Sequence, residues 1–464
     1  MRHSRPHFTN VTASLIMTHS PGTPEWWQEL ENRQAPLCEP TEPGFVDVTF
    51  YWREPKLNTA SGSLAQVLVD INGVTDHHSE TPQSLRPVPQ TDIWSWSIRL
   101  PDTWCGTYSF IPLHKEDSFQ AWLSNNTDNR TPDERVQAQR HWWVSIQDRA
   151  IADPLNPLRS YRSGWGGQCS PLILANAPRQ PSWASVDTTR KDRLFEIERS
   201  LAIPESLVWQ DHREKRRRAW LLQTQYSDSS ESNVPLPLVV ILDGATWIDR
   251  FPLRHVLSRE TREGHLPPAF YVFVEQGNGE QRYDDLACNP AFWGAVQHNL
   301  LRQVFCLAPL SQKPEQRIIV GQSLGGLSAL YAALCVSWSD TTRFGRVLSQ
   351  SGSFWWPDSD VLHDDSERPA KGGWLCHHPI SAATEKKVTV FLEVGNREGA
   401  MIDVNDAMAD ALRNAGHPII QRSFSGGHDA LCWRHGIIDG LRHLLQQPDN
   451  QALETSETEA TPHV

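Results

Sequence analysis

RIIVGQSLGGLSALYAALCV, residues 317–336, is the stretch on which the fold of this chain turns. RIIV is apolar and strand-like, LSALYAALCV opens a helix, and the tight turn between them carries Ser323 among small residues. Small neighbours let a strand fold back sharply into a helix, which leaves the serine hydroxyl proud of the sheet. The N–H of Leu324, at the start of the helix, then faces any oxyanion formed when that hydroxyl attacks a carbonyl. Strand, turn and helix in this order predict a nucleophile elbow.

Outward from the elbow the pattern repeats. Residues 217–226, 236–244, 269–276, 346–353 and 388–395 read as strands, and runs such as VVIL and VFLEV imply burial on both faces, as in a parallel sheet covered by helices. Helical stretches alternate with them at 290–303, 324–336, 401–415 and 433–446. A hydrolase with this elbow needs an acid and then a histidine later in the chain. SGGHDAL puts His428 in a loop after the strand-like IIQRSF, where its ring is free to act as a base. The preferred acid is Glu398, just past the strand ending at Gly395, with Asp403 as a rival inside the next helix. Asp429 adjoins the histidine too closely and reads as a helix-entry cap. A second oxyanion donor is expected after LPLVVILDG, at the N–H of Ala245.

The rest of the chain reads differently. Residues 45–112 alternate, or run apolar, over strand lengths, as in FVDVTFYWR, LAQVLVDI and IWSWSIRL, with turn signals between them. The expected organisation is a disordered segment or extension at 1–24, an all-β immunoglobulin-like sandwich at 25–150, a Pro-rich connector at 151–199, an α/β-hydrolase domain at 200–446 and an acidic disordered tail at 447–464. Translation is expected to start at Met1 or Met17. With 43 Lys+Arg against 55 Asp+Glu the net charge is −12, which argues against nucleic acid or an anionic membrane as partner. The basic group at 213–218 reads as a solvated lead into a strand. No apolar run is long enough to span a membrane, and the first 20 residues lack a signal-peptide core. Eight scattered cysteines without a C-x-x-C pair argue against zinc or a disulfide framework and fit the cytoplasm. The 20 Trp, against 15 Phe and 7 Tyr, hint at ring-stacking surfaces as well as core.

Several blocks point further: VDVTFYWR, NGVTDHH and IADPLNP in front, then LDGATW, CNPAFWGAV, VGQSLGGLSALYA, LSQSGSFWWP, NRE and GGHDALCWR. Through them, over roughly residues 40–446, the chain resembles the enterochelin (enterobactin) esterase family, whose members open the trilactone of a tris-catecholate siderophore. The resemblance implies an esterase D type catalytic domain with Ser323, Glu398 and His428 as its triad. It also implies a front sandwich that helps cover the active site, and iron that enters only as part of the substrate, so no cofactor is expected. Leu324 stands where the family often has Phe, which touches pocket shape and not the backbone N–H; SDSSESNVPL, residues 227–236, reads as a variable loop.

A ferric catecholate siderophore is anionic and faced with flat rings, so cations and aromatics are expected at the cleft. Arg282 and Asn289, with Trp247, Trp293, Trp355 and Trp356, lie in segments that the resemblance brings near the pocket. The alternative for Arg282 is a surface pairing with Asp284 or Asp285. The rival functions are a general carboxylesterase or feruloyl esterase and, from another class, a siderophore-binding protein without turnover. Oligomeric state is not legible.

Overall fold

The computed structural model describes residues 17–55, 64–124, 131–164, 166–187, 204–226, 234–339, 342–358, 372–378 and 387–446. The acidic tail, most of the N-terminal extension and most of the 227–236 loop lie outside the described residues. The chain divides into two units, residues 1–199 with 425–432, and residues 200–424 with 433–464.

Among its described residues the first unit carries eight antiparallel strands: β1 (Leu37–Pro40), β2 (Phe45–Arg53), β3 (Gln66–Ile71), β4 (Ser84–Pro87), β5 (Ile93–Pro101), β6 (Cys105–Leu113), β7 (Tyr161–Arg162) and β8 (Gln168–Ile173). Their order is β1-β2-β5-β4-β3-β6-β8-β7. Short β4 turns the corner: Leu85 pairs with Val67 of β3, whereas Arg86 pairs with Ser95 of β5. Alternation decides the core, since β5 buries Trp94, Trp96, Ile98 and Leu100 and leaves Ser95, Ser97 and Arg99 half-exposed.

Two expectations change here. Residues 151–199 are not only a connector, because β7 and β8 lie within them and β8 pairs with β6 from Cys105↔Ile173 to Tyr108↔Ser170. Pro171 hid that strand, since proline donates no ladder hydrogen bond and reads as a breaker. The N-terminal segment is ordered by Pro24, which opens the helix Pro24–Asn32; Thr23 caps it and its Trp26, Trp27 and Leu30 are buried. The IADPLNP block has a local reason. Buried Asp153 accepts the Tyr108 hydroxyl at 2.7 Å, and Asn156 Nδ2 donates to that hydroxyl oxygen at 3.1 Å and to the Pro171 carbonyl at 2.8 Å.

The second unit carries β9 (Glu205–Gln210), β10 (Arg216–Gln223), β11 (Leu238–Ile241), β12 (Phe270–Val274), β13 (Arg317–Gln322), β14 (Arg346–Gln350), β15 (Thr389–Gly395) and β16 (Ile419–Phe424), in the order β16-β15-β14-β13-β11-β12-β10-β9. β11 to β16 are parallel and β10 and β9 add antiparallel. Every residue of β11, β12, β13 and β14 is buried, as their continuous apolar runs require. Strand order reverses at β11, with β12 on one side and β13 on the other; the carboxyl ends of such a switch point form a crevice. Helices at Leu253–Arg262 and Gly279–Leu286, and strand β9, were not legible in the polar sequences that form them.

Candidate active site

Ser323 follows β13 and precedes the helix Leu324–Cys335, with φ 58° and ψ −125°. A non-glycine residue held there costs on the order of 1–3 kcal/mol and persists only where its surroundings enforce it. They do. Its N–H donates to the Gln350 carbonyl at 3.0 Å, and its own carbonyl accepts from Gly326 at 2.9 Å and from Ser353 at 3.0 Å. A Cβ on Gly321 would collide with the Gly325 carbonyl oxygen, and one on Gly326 would lie 2.6 Å from Ser349 Oγ. The hydroxyl sits 3.4 Å from Ser353 Oγ. Leu324 is the first helical residue, so its N–H is among those with no acceptor inside the helix.

The Asp243–Ala245 turn follows β11. Asp243 also has positive φ, 53°, and Gly244 is packed so tightly that a Cβ would lie 2.7 Å from the Phe273 backbone. The N–H of Ala245 donates to Gln276 Oε1 at 3.2 Å, and Gln276 Nε2 donates to Thr246 Oγ1 at 3.1 Å. The sequence reading missed Gln276; its position just past the carboxyl end of β12 was the available signal.

Glu398 lies three residues beyond β15. Its Oε1 accepts the Gly395 N–H at 2.7 Å and the Ser351 hydroxyl at 2.6 Å. Ser351, itself at φ 48°, accepts the Trp433 indole N–H at 2.8 Å. Ser351 and Trp433 were not singled out from the sequence. Asp403 sits half-buried in the first turn of the helix Ala400–Asn414.

His428 belongs to residues 425–432, which group with the first unit. Its backbone N–H donates to Asn72 Oδ1 at 2.8 Å, and a Cβ on Gly427 would come within 2.6 Å of that same oxygen. Asp429 caps the following helix through the Leu431 N–H at 2.7 Å, as read. It also accepts the N–H and hydroxyl of Thr107, at 2.8 and 2.5 Å. Asn72 lies in NGVTDHH, so that block holds the histidine-bearing loop.

Several expected binding residues are placed otherwise. Arg282 is bidentate to Asp243 at 2.6 and 2.7 Å and reaches the Gln322 carbonyl at 3.4 Å. Burial pushes its pKa down, but the Asp243 carboxylate outweighs that and holds it above the ordinary value. Asp284 and Asp285 pair with Arg213 instead, and Asp285 also with Arg217. Arg217 is therefore buried and not solvated. Asn289 is a helix cap: its Oδ1 accepts the Ala291 and Phe292 N–H groups and its Nδ2 donates to the Asp284 carbonyl. Trp247 and Trp293 are core residues, 1 % and 0 % exposed, whose indole N–H groups bond Gln322 Oε1 and Ser328 Oγ. Trp355 and Trp356, beyond β14, are half-buried.

Among the described residues, Glu260, Glu263 and His265 form the one group of ligating side chains close enough to share an ion, and Glu260 is already neutralised by Arg442 and Arg259. Among the same residues no helix is long and apolar enough to cross a membrane.

The chain matches two family models, the enterochelin esterase N-terminal domain over residues 47–183 and putative esterase over residues 215–444. The iron(III) enterobactin esterase of Dickeya dadantii is 40% identical over 96% of this chain and 98% of its own length. Among solved structures, the ferric enterobactin esterase of Salmonella typhimurium is similar with a TM-score of 0.74 at 34% identity, over 91% of this chain and 99% of that one. The enterobactin esterase of Shigella flexneri, crystallised in the presence of enterobactin, gives 0.73 at 33% identity, over 92% and 99%.

Proposed function

The chain belongs to the iron(III) enterobactin esterase family, and from that premise we propose that it hydrolyses the trilactone esters of ferric enterobactin with Ser323 as nucleophile. The observation that carries the assignment is the enforced backbone of Ser323, positive in φ between a buried strand and a helix N-terminus. The rear unit is read as an esterase D type α/β-hydrolase, supported by the six parallel strands with the elbow after β13. The front unit is read as an immunoglobulin-like sandwich, supported by its antiparallel strands and the alternation of β5.

Ser323 Oγ adds to a seryl ester carbonyl while His428 takes its proton; the proton then passes to the departing seryl hydroxyl as the ester C–O bond breaks. Glu398, fixed by Ser351 and Gly395, orients the imidazole. The oxyanion lies on the N–H groups of Leu324 and Ala245, taking on the latter the place held by Gln276 Oε1. Water releases the acyl-enzyme, and repetition yields dihydroxybenzoyl-serine. Iron arrives within the substrate, and the protein needs no metal of its own. Trp355 and Trp356, at the carboxyl end of β14, are the tryptophans suited to meet catecholate rings, whereas Arg282 serves the Asp243 turn. The reaction is placed in the cytoplasm on the scattered cysteines.

The test pairs ferric enterobactin with ethyl ferulate, products being followed by chromatography. Turnover of the siderophore is expected, with a loss of about 10³-fold or more in Ser323→Ala while binding persists. Turnover of ferulate alone, or an active Ser323→Ala, would defeat the reading.

A further inference from the structure

Four polar side chains lie in one row across the rear sheet, toward the carboxyl ends of β13, β14 and β15. Gln322 of β13, Gln350 of β14, Glu393 of β15 and Arg422 of β16 are direct register partners, each opposite the next. The first three are 2 %, 0 % and 2 % exposed. Valine or leucine would fill these positions without the desolvation that polar groups suffer there.

The row is continuously hydrogen-bonded, and its direction follows from chemistry. The Trp247 indole can only donate, so it fixes Gln322 Oε1 as its acceptor at 3.1 Å. Gln322 Nε2 then donates to Gln350 Oε1 at 3.0 Å. Gln350 Nε2 in turn donates to Glu393 Oε1 at 2.8 Å and to the Trp433 carbonyl at 2.9 Å. Arg422 closes the row on Glu393 Oε2 at 2.8 Å and continues to Asp439 at 3.2 Å. The helix Ala430–Gln446 passes directly over it. A Cβ on Gly436 would overlap Glu393 Oε1 and lie 2.5 Å from Gln350 Nε2.

Each member stands next to a working part of the proposed site. Gln322 precedes Ser323, and the Gln350 carbonyl receives the Ser323 N–H. Gln350 also precedes Ser351, which holds Glu398, and the Ser351 N–H donates to the Glu393 carbonyl at 2.6 Å. Gln350 is the junction, bonded on one side toward the nucleophile and on the other toward the acid.

We propose that Gln350 is a positioning residue of the esterase reaction, locking the carboxyl ends of β13, β14 and β15 in one relative placement so that Ser323 and Glu398 are presented together. The inference rests on Ser323 being the nucleophile. A fully satisfied network of hydrogen-bonded side chains in a dry interior rigidifies its surroundings and specifies one arrangement. Misplacing reacting groups by about 1 Å can cost about 10²-fold in rate.

The experiment uses the full chain carrying Gln350→Met, which keeps volume and removes the amide. A fluorophosphonate probe counts competent serines, and kcat for ferric enterobactin is expressed per labelled serine. The expected result is a fall of about 10–100-fold in kcat per labelled serine with KM changed by less than about 2-fold. Unchanged kcat per labelled serine, or a rise in KM alone, would overturn the proposal by showing Gln350 to be structural only. If Gln350→Met does not fold, Glu393→Gln decides by the same criteria with an expected fall of about 3–10-fold, since Gln350 and Arg422 donate to different carboxylate oxygens and the NH2 group that replaces one of them cannot accept. Label on a residue other than Ser323 would instead strike down the nucleophile assignment, and the proposal with it.

Discussion

In the front sheet β5 buries every second residue from Trp94 to Leu100, whereas in the rear sheet β11 to β14 bury all of theirs. A half-buried antiparallel strand carries its stability in a few large inward side chains, here Trp52, Trp94 and Trp96, against which Trp104 packs from the turn before β6. A strand buried on both faces has no surface on which to place a reactive group, so chemistry is confined to where the strand stops. Asp243, Ser323 and Ser351 stand just past the carboxyl ends of β11, β13 and β14, and all three are non-glycine residues with positive φ. Among the described residues of the rear unit, three of the five non-glycine residues with positive φ thus stand at these strand ends, Glu214 and Cys288 being the other two.

The sharpest way to break this contrast is at the acid. Glu398→Gln should lower kcat by about 10²–10⁴-fold, because the imidazole loses its orienting carboxylate, while Asp403→Asn should stay within about 3-fold. Steady-state kinetics giving the reverse ranking would move the acid from a strand end into a helix. Next comes the front core. Trp104 is 0 % exposed, and Trp104→Ala should cost about 3–5 kcal/mol in urea unfolding; a cost under about 1 kcal/mol would mean that the tryptophans there are not the main support.

The smallest effect concerns pH. Burial pushes the Asp153 carboxyl from 3.8 up to about 6, against the opposing hydrogen bonds from Tyr108 and Leu155. The folded chain therefore keeps this proton to about pH 6, whereas the unfolded chain releases it near pH 4. Stability from this group is present below that window and is lost as pH rises through it, by about 2–3 kcal/mol. Asp153→Asn should flatten the corresponding slope in melting temperatures between pH 4 and 7; parallel curves would assign the slope elsewhere.

Local signals read well where one residue type serves one local need. The elbow was visible because glycine spacing, a strand and a helix are contiguous. The binding residues were less legible. Trp247 and Trp293 lie in segments near the site, yet both rings point into the core, and Arg282 faces Asp243, 39 residues earlier. Gln276, Ser351 and Asn72 were missed because each acts through a partner far away in the chain.

The sequence by itself determined the alternation of β5, the continuous burial of the central rear strands and the turn at Ser323. These follow from periodicity and from the steric demands of neighbouring residues. Tertiary structure alone decided that β8 completes the front sheet, that Arg282 holds Asp243, and that Gln322, Gln350, Glu393 and Arg422 form one row. The physical reason is that register between parallel strands is fixed by packing across connections of many residues, and no local pattern encodes which buried amide will meet which carboxylate.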